Sequence, residues 1–362
     1  MINCKKTLIK IFYAVTTICI CSLLVLNPKA YAAEGTTTGE LLITFVDIED
    51  KKNNHMNYSL YNLFNSEENL LIREPVLEFS AGTLTKDKKY LYLSRRNSDK
   101  VQTYVHLHQL ELLPKKKKRP VLMKGTQQFL NVDYVKLNKD EKKIFMRVVQ
   151  KNHRNAQLAS YDLETNKSTA WKSGDTDTHV NYFDYSPQTD QIISIEHSLA
   201  VETSLVKEAN ARNEGTIKPY TYNINLYDSE GKLVKHVSQI KGHILDISFA
   251  PDGKSALYTS TSQFGPNSKF TIYSLDLDSG ASTPIFSETD RFTKIKLAQY
   301  SPDSSKIYFL AIKSDSKPLS DDPRRKGIPR VLASYDLKTK MINEVISKEK
   351  KKGTITYFTV IK

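Results

Sequence analysis

Two short clusters of histidine and aspartate have the spacing of metal ligands. Asp175, Asp177 and His179 alternate along the chain and would offer oxygen ligands to Ca²⁺, but they lack the central glycine and closing glutamate of an EF-hand loop. His106 and His108 would point the same way from one strand, where zinc needs a third ligand that is not evident. We therefore predict no metal centre and no cofactor.

Signatures of catalysis are equally sparse. The sequence contains no H-E-x-x-H, no G-x-S-x-G elbow and no glycine-rich phosphate loop. The three cysteines, Cys4, Cys19 and Cys21, all lie in the first 32 residues, so the rest of the chain can form no disulfide, zinc–thiolate site or catalytic thiol. Binding is therefore favoured over catalysis.

A repeated pattern along the chain predicts the elements that position any site. Five times an apolar strand, a tight polar turn, a β-rich strand, a variable loop and a strand ending near an aspartate follow one another. Alignment of the turns on Asp87, Asp140, Gln188, Asp252 and Asp303 gives spacings of 53, 48, 64 and 51 residues. This is the length of one four-stranded propeller blade with its loops. Residues 159–163 and 333–337 are identical pentapeptides, A-S-Y-D-L, and mark the same strand of two repeats.

The two ends of the chain complement each other. Residues 41–47, 58–64 and 69–72 indicate three strands with no inner strand before them, and residues 354–361 form a single alternating strand with nothing after it. Joined in one composite blade, they would remove the exposed edges of the sheets. We therefore predict an all-β, six-bladed β-propeller over residues 41–362. A β-sandwich and an open solenoid are the alternatives.

Residues 249–260 (FAPDGKSALYTS) and 300–309 (YSPDSSKIYF) resemble the repeat of TolB-like six-bladed propellers. The resemblance covers most of residues 41–362 and implies a protein-binding platform, although related propellers also cap prolyl oligopeptidases. About ten residues separate the amino-terminal segment from the first strand. This leaves no room for the α/β domain that precedes the propeller in TolB, so a role in a Tol–Pal system is not implied.

In such a propeller, the loops between second and third strands share one face with the links between blades. They are longest around residues 199–219 and 314–328, and loops on a rigid scaffold often carry binding sites. Basic residues are frequent in these loops: Arg95, Arg96, Lys151, Arg154, Arg324, Arg325 and Lys326, with Lys348 in a link. We expect this face to bind a protein or an anionic cell-envelope polymer, with an ordinary solvated surface as the alternative.

The inner strands offer a second candidate site. Nine residues before the turn markers stand polar side chains: Glu78, Asn131, His179, His243 and Lys294. We predict that they ring one mouth of a central channel. The rival function follows from this ring: a lyase or lactone hydrolase with a metal in the channel.

The first 32 residues resemble a secretory signal peptide. Lys5, Lys6 and Lys10 precede an apolar run over residues 11–26, and Ala30-Tyr31-Ala32 offers a cleavage site before Ala33. The run is shorter than the roughly 20 residues that span a bilayer, although an uncleaved anchor is the alternative. The predicted organisation is a signal peptide (1–32), a short linker (33–40) and one domain (41–362).

Loss of residues 1–32 would leave 49 basic and 40 acidic residues, a net charge of +9. We therefore expect a secreted or cell-surface protein that is drawn to anions. We expect a monomer that contacts membrane only through an uncleaved signal segment and does not bind nucleic acid.

Overall fold

The computed structural model describes residues 39–48, 54–75, 81–96, 104–112, 119–263, 265, 268–319, 327–349 and 352–361. The predicted signal peptide, residues 33–38 of the predicted linker, Glu78 and the basic triplet of Arg324, Arg325 and Lys326 lie outside these ranges, as does the side chain of Arg96.

The described residues form 23 strands. The first eleven are β1 (Glu40–Ile48), β2 (Asn54–Asn62), β3 (Glu68–Pro75), β4 (Gly82–Leu84), β5 (Tyr90–Arg96), β6 (Val105–Glu111), β7 (Val121–Leu122), β8 (Phe129–Leu137), β9 (Lys143–Gln150), β10 (Ala156–Asp162) and β11 (Lys167–Ala170). The next six are β12 (Thr178–Ser186), β13 (Gln191–Ser198), β14 (Tyr220–Asp228), β15 (Leu233–Phe249), β16 (Ser255–Thr261) and β17 (Thr271–Asp276). The last six are β18 (Ser282–Ser287), β19 (Phe292–Tyr300), β20 (Lys306–Lys313), β21 (Val331–Asp336), β22 (Ile342–Ile346) and β23 (Gly353–Ile361).

These strands form antiparallel sheets in the order β23-β1-β2-β3, β4-β5-β6-β7, β8 to β11, β12 to β18, and β19 to β22. The seven-stranded sheet arises because β15 is 17 residues long. Its residues 233–242 pair with β14, and its residues 243–249 pair with β16. With β15 counted on both sides, we refer to the four-stranded groups as units I to VI, starting from β23-β1-β2-β3.

The carboxy-terminal strand lies beside the first strand of the described chain. β1 and β23 are antiparallel, with Glu40 opposite Ile361 and Asp47 opposite Gly353. Gln299 of unit VI reaches the same strand, donating its amide to the Phe358 carbonyl at 2.8 Å and accepting from the Val360 N–H at 3.0 Å. The predicted pairing between the two ends of the chain is therefore present.

In units II to VI the turn between the first and second strands contains one residue in the left-handed region. The φ angle is +56° at Lys88, +57° at Glu141, +69° at Gly253 and +57° at Ser304, each one residue after its turn marker. In unit IV this residue is Asp190, at φ +54°. Glycine adopts such angles without strain, whereas Lys, Glu and Ser do so at a cost.

The aspartates that end the third strands cap the turn between the third and fourth strands of their units. The Asp162 carboxylate accepts the Thr165 N–H at 2.7 Å, and Asp276 accepts the Ser279 N–H at 2.7 Å. Asp336 accepts the Thr339 N–H at 2.8 Å in the same way. This local bond explains the recurring aspartate in the sequence, because an aspartate side chain that bonds a nearby backbone N–H stabilises a turn.

Helix α1 (Leu199–Ala211) occupies the long segment between β13 and β14, where the sequence predicts a loop. Ser198 caps it by accepting the Val201 N–H at 3.2 Å, as serine commonly does at a helix start. Within the described ranges, none of the helices has the length and apolar character needed to cross a membrane.

Candidate functional site

The segments that join second to third strands, together with the links between units, form the surface that we call the loop face. Around units III and IV this surface is held by buried amides. Asn155 donates to the carbonyls of Thr178 at 2.7 Å and Asp175 at 3.0 Å, and Gln157 donates to the Lys172 carbonyl at 2.8 Å. The loop of one unit is therefore fixed to the link that leads into the next.

The alternating acids of this link are occupied with backbone groups. The Asp175 carboxylate accepts the N–H groups of Asp177 at 2.9 Å and Thr178 at 2.8 Å, and donors of this kind help to lower the pKa of Asp175 even though burial opposes them. The Asp177 carboxylate accepts the Ala200 N–H at 2.7 Å, at the start of α1. Both acids therefore order the loop face around α1.

Two of the predicted basic residues project from the loop face into solvent. Lys151 and Arg154 are exposed, and neither forms an ion pair with any residue that the structure describes. A hollow of about 410 Å³ lies beside Lys151, and its lining includes Gln128, Asn152 and His153. A cation, amides and an imidazole thus surround one accessible space.

The other predicted basic residues differ from these two. Arg95 is half-buried and paired with Glu74 at 2.7 Å. Lys348 is buried, pairs with Glu68, and lies 4.3 Å from the centre of the Phe45 ring, so it is a packing residue and not part of an exposed surface. A buried lysine of this kind contributes through its contacts within the fold.

The four predicted channel-mouth residues that the structure describes make contacts within their own strand or with the preceding unit. The ring of His179 accepts the Ala156 N–H at 3.3 Å, the His243 ring lies 3.3 Å from the Ile217 carbonyl, and Lys294 donates to the Ser268 carbonyl at 3.0 Å. In each of these three contacts the partner residue lies in the preceding unit, either at the start of its third strand or in the segment that leads into that strand. Asn131 instead donates to Asp133 at 3.3 Å, in its own strand.

Burial accounts for the titration of these histidines. It lowers the pKa of His179 to about 4 and that of His243 below its usual value. His106 and His108 are also buried, with pKa values lowered by burial, and their Nδ1 atoms lie 3.2 Å from the Thr126 carbonyl and 3.0 Å from the His106 carbonyl. Among the described residues, no three His, Cys, Asp or Glu side chains are grouped to hold a metal ion.

Two charged pairs that the sequence did not indicate lie on or next to the inner strands. Lys136 lies 2.8 Å from Asp184, which links units III and IV. Arg147 contacts both carboxylate oxygens of Asp133, at 2.6 and 2.8 Å, and also donates to the Asn181 carbonyl of the next unit. These charges neutralise one another where the units meet.

A cavity of about 160 Å³ is lined from all six inner strands. Its lining includes Thr83, Lys136, Asp184, Ser248, Gln299 and Thr359. Five of these residues stand four positions before a turn marker in their repeats: Thr83, Lys136, Asp184, Ser248 and Gln299. That shared offset is the sequence signal that would have found the cavity.

Asp246 is a buried acid that joins units V and VI. Its carboxylate accepts the Leu297 N–H at 2.7 Å and the Thr259 hydroxyl at 2.8 Å. Burial nevertheless raises the pKa of Asp246 from its ordinary value of 3.8 to about 6, because loss of water disfavours the charged form more than these donors favour it. The folded protein therefore holds this proton more tightly than the unfolded chain does.

Asp246→Asn is expected to remove a pH-dependent loss of stability. Between about pH 4 and pH 6 the folded protein retains the Asp246 proton that the unfolded chain has lost, so the free energy of unfolding falls as the pH rises, by up to about 3 kcal/mol. The variant lacks this titration and should gain stability relative to wild type over that range, as measured by urea unfolding at stepped pH.

Asp336→Asn is the control for this experiment, with the opposite sign. The Thr339 N–H lowers the pKa of Asp336. The free energy of unfolding of wild type should therefore rise relative to that of the variant as the pH rises through the acid range. A difference between wild type and Asp246→Asn that is constant from pH 4 to pH 7 would contradict the prediction.

The geometry can be compared with that of known proteins. No protein-family model matches the chain. The sequence is 26% identical over 326 residues to the uncharacterized protein YdjN of Bacillus subtilis, covering 89% of this chain and 87% of that protein. A chain of the nidogen/laminin complex matches 88% of this chain and 97% of its own length, with a TM-score of 0.54 at 8% identity.

The chain has a β-propeller fold. The succession of four-stranded antiparallel units supports this conclusion, and the all-β propeller class predicted from the repeats is confirmed. TolB from Acinetobacter baumannii is also among the matching structures, with a TM-score of 0.48 and 15% identity over 85% of this chain and 69% of that chain.

Proposed function

We propose that this protein is an exported, non-catalytic propeller that binds an anionic partner of the cell envelope, a polymer or an acidic protein, through its loop face. The observation that carries the proposal is the exposure of Lys151 and Arg154 on a loop that Asn155 holds in place. Cations presented on a fixed backbone lose little conformational freedom when a partner binds. The hollow beside Lys151 offers space for an anionic group.

The charges near the inner strands support binding over catalysis in the channel. Lys136 is paired with Asp184, and Arg147 with Asp133, so these groups stabilise the arrangement of the units. A lyase or lactone hydrolase with a channel metal, the rival function, needs acids or imidazoles directed at one point. The described His179, His243 and Lys294 are directed at neighbouring units instead.

Export is the part of the proposal that rests on sequence. Residues 1–32 have the basic, apolar and small-residue regions of a signal peptide, and the remaining chain has a net charge of +9. A net positive charge draws a protein toward anionic polymers and accelerates the encounter with them. Cleavage before Ala33, determined by mass spectrometry of the secreted protein, tests this part separately.

The double reversal Lys151→Glu/Arg154→Glu is expected to weaken binding to envelope extracts by at least about fivefold, because two attractive charges become repulsive. The measurement is capture from the extract, together with retention on immobilised polyphosphate at several salt concentrations. Binding by wild type should weaken as salt rises.

Lys254→Glu/Lys338→Glu is the matched control, since it changes the net charge equally. Both lysines are exposed and lie in turns on the opposite face from the loop face. This control should bind nearly as wild type does. Equal capture by the two double variants would mean that the loop face does not carry the binding.

A further inference from the structure

A cleft of about 670 Å³ opens against one surface of unit IV. Its lining includes Glu196 of β13, Asn223 and Asn225 of β14, His236 and Gln239 of β15, and Lys172 of the preceding link. The register places the strand residues in two rows: Asn225 and His236 in one, which Ser194 of β13 continues behind the cleft, and Glu196, Asn223 and Gln239 in the other. Residues opposite one another on paired strands share a surface of the sheet, so each row presents its side chains together.

The rows of other units that correspond to the row of Ser194 show that the fold does not require polar residues there. The row that corresponds to Ser194 is Met146, Ala159 and Ala170 in unit III, and Tyr258, Tyr273 and Pro284 in unit V. In unit VI it is Phe309, Ala333 and Glu344. Those rows are mainly apolar, as sheets that pack against one another need. In this row unit IV has a hydroxyl, an amide and an imidazole in place of packing residues.

A buried carboxylate anchors the rows. The side chain of Glu196 is only 4% exposed, yet it has four donors. One oxygen accepts the hydroxyls of Ser194 and Tyr227, both at 2.7 Å. The other accepts the Asn225 amide and the Lys172 ammonium, both at 3.0 Å. A charge buried among so many donors is held in one position, so the wall is rigid before any ligand binds.

This anchor also sets the direction of the other hydrogen bonds. The Asn225 amide donates to Glu196, so its carbonyl oxygen accepts from Nδ1 of His236 at 2.7 Å. The neutral His236 ring then has Nε2 as a hydrogen-bond acceptor. Gln239 donates to the Asn223 carbonyl at 3.0 Å, which leaves the Asn223 amide as a donor and the Gln239 carbonyl as an acceptor.

We propose that this cleft binds an uncharged sugar unit. The hydroxyls of a pyranose both donate and accept, and the cleft offers donors and acceptors at neighbouring positions of one rigid wall. Lys172 and Glu196 neutralise each other, whereas the exposed Asp177 carboxylate has, among the described residues, only the Ala200 N–H as a donor, so the lining carries a net negative charge that disfavours an anionic ligand. The volume lies within the range of roughly 300–1,000 Å³ found for small-molecule sites.

The test is calorimetric titration of the purified protein with two uncharged trisaccharides, maltotriose and triacetylchitotriose. At least one should bind, and His236→Ala/Gln239→Ala should weaken that binding at least about tenfold, since two hydrogen-bonding groups are lost. Both residues are exposed, so the variant should retain the wild-type unfolding temperature.

The matched control lies in unit V, where Thr271 and Ser287 occupy the register positions of Asn223 and Gln239 and bond each other at 2.7 Å. Thr271→Ala/Ser287→Ala should bind the sugar as wild type does. The proposal is overturned if neither trisaccharide binds, if His236→Ala/Gln239→Ala binds as tightly as wild type, or if trigalacturonate binds this cleft more tightly than both. None of these outcomes bears on the loop face, because the two surfaces are tested by different residues and probes.

Discussion

Removal of residues 353–362 is expected to prevent the chain from folding. Strand β23 pairs with β1 from Glu40 to Asp47, and its side chains Ile355, Tyr357, Phe358 and Val360 are buried. Burial of each such side chain contributes about 1.5–3 kcal/mol. Together these contributions are comparable to the whole net stability of a typical domain, about 5–15 kcal/mol. Circular dichroism during heating should show no cooperative transition for the truncated chain.

A single substitution provides the graded comparison. Phe358→Ala removes one fully buried ring and should lower the free energy of unfolding by about 3–5 kcal/mol, while leaving a cooperative transition. The two variants are therefore expected to differ in whether they unfold cooperatively, because only the truncation exposes the edge of β1. Cooperative unfolding of the truncated chain near the wild-type temperature would show that β23 is dispensable.

Arg147→Ala is expected to lower the free energy of unfolding by about 3–5 kcal/mol, because it leaves the partly buried Asp133 without its ion-pair partner. The guanidinium also stacks on the Tyr134 ring, 4.4 Å from its centre, and donates to the Asn181 carbonyl of unit IV. One side chain thus joins two units. Urea unfolding followed by tryptophan fluorescence measures the loss, since Trp171 lies between units III and IV.

Two variants separate geometry from charge in this experiment. Arg147→Lys keeps the charge but cannot contact both oxygens of Asp133, so it should restore only part of the stability. Lys142→Ala breaks an ion pair with Glu164 of similar length, 2.9 Å, whose two side chains are about two-thirds exposed, and it should leave the free energy of unfolding within error. Equal losses for Arg147→Ala and Lys142→Ala would refute the distinction.

The features that the sequence could predict depend on neighbouring residues. A turn with a residue in the left-handed region and an aspartate that caps the next turn are local arrangements, so their repetition shows in the sequence as a period. The pairing of the two ends is not local, but it too was predictable, since three strands at one end lacked an inner partner and one strand at the other lacked any.

The candidate residues of the channel mouth show that equal spacing along the chain does not fix the direction of a side chain. His179, His243 and Lys294 stand at equal distances from their turn markers, but each inner strand contains a register shift close to the candidate residue. A bulge changes which way the following side chains point. Spacing alone therefore could not show that these residues face the neighbouring unit.

By itself, the amino-acid sequence determined the repeating unit, its turns and the partnership of its ends, because each follows from backbone preferences and strand patterns within about fifty residues or at the termini. Only the tertiary structure decided which charges meet near the inner strands and which polar residues line one cleft. Lys136 and Asp184 are 48 residues apart, and Glu196 meets Lys172 and Asn225 across three separate segments. Such contacts arise from the register and packing of whole sheets, which no short stretch of sequence specifies.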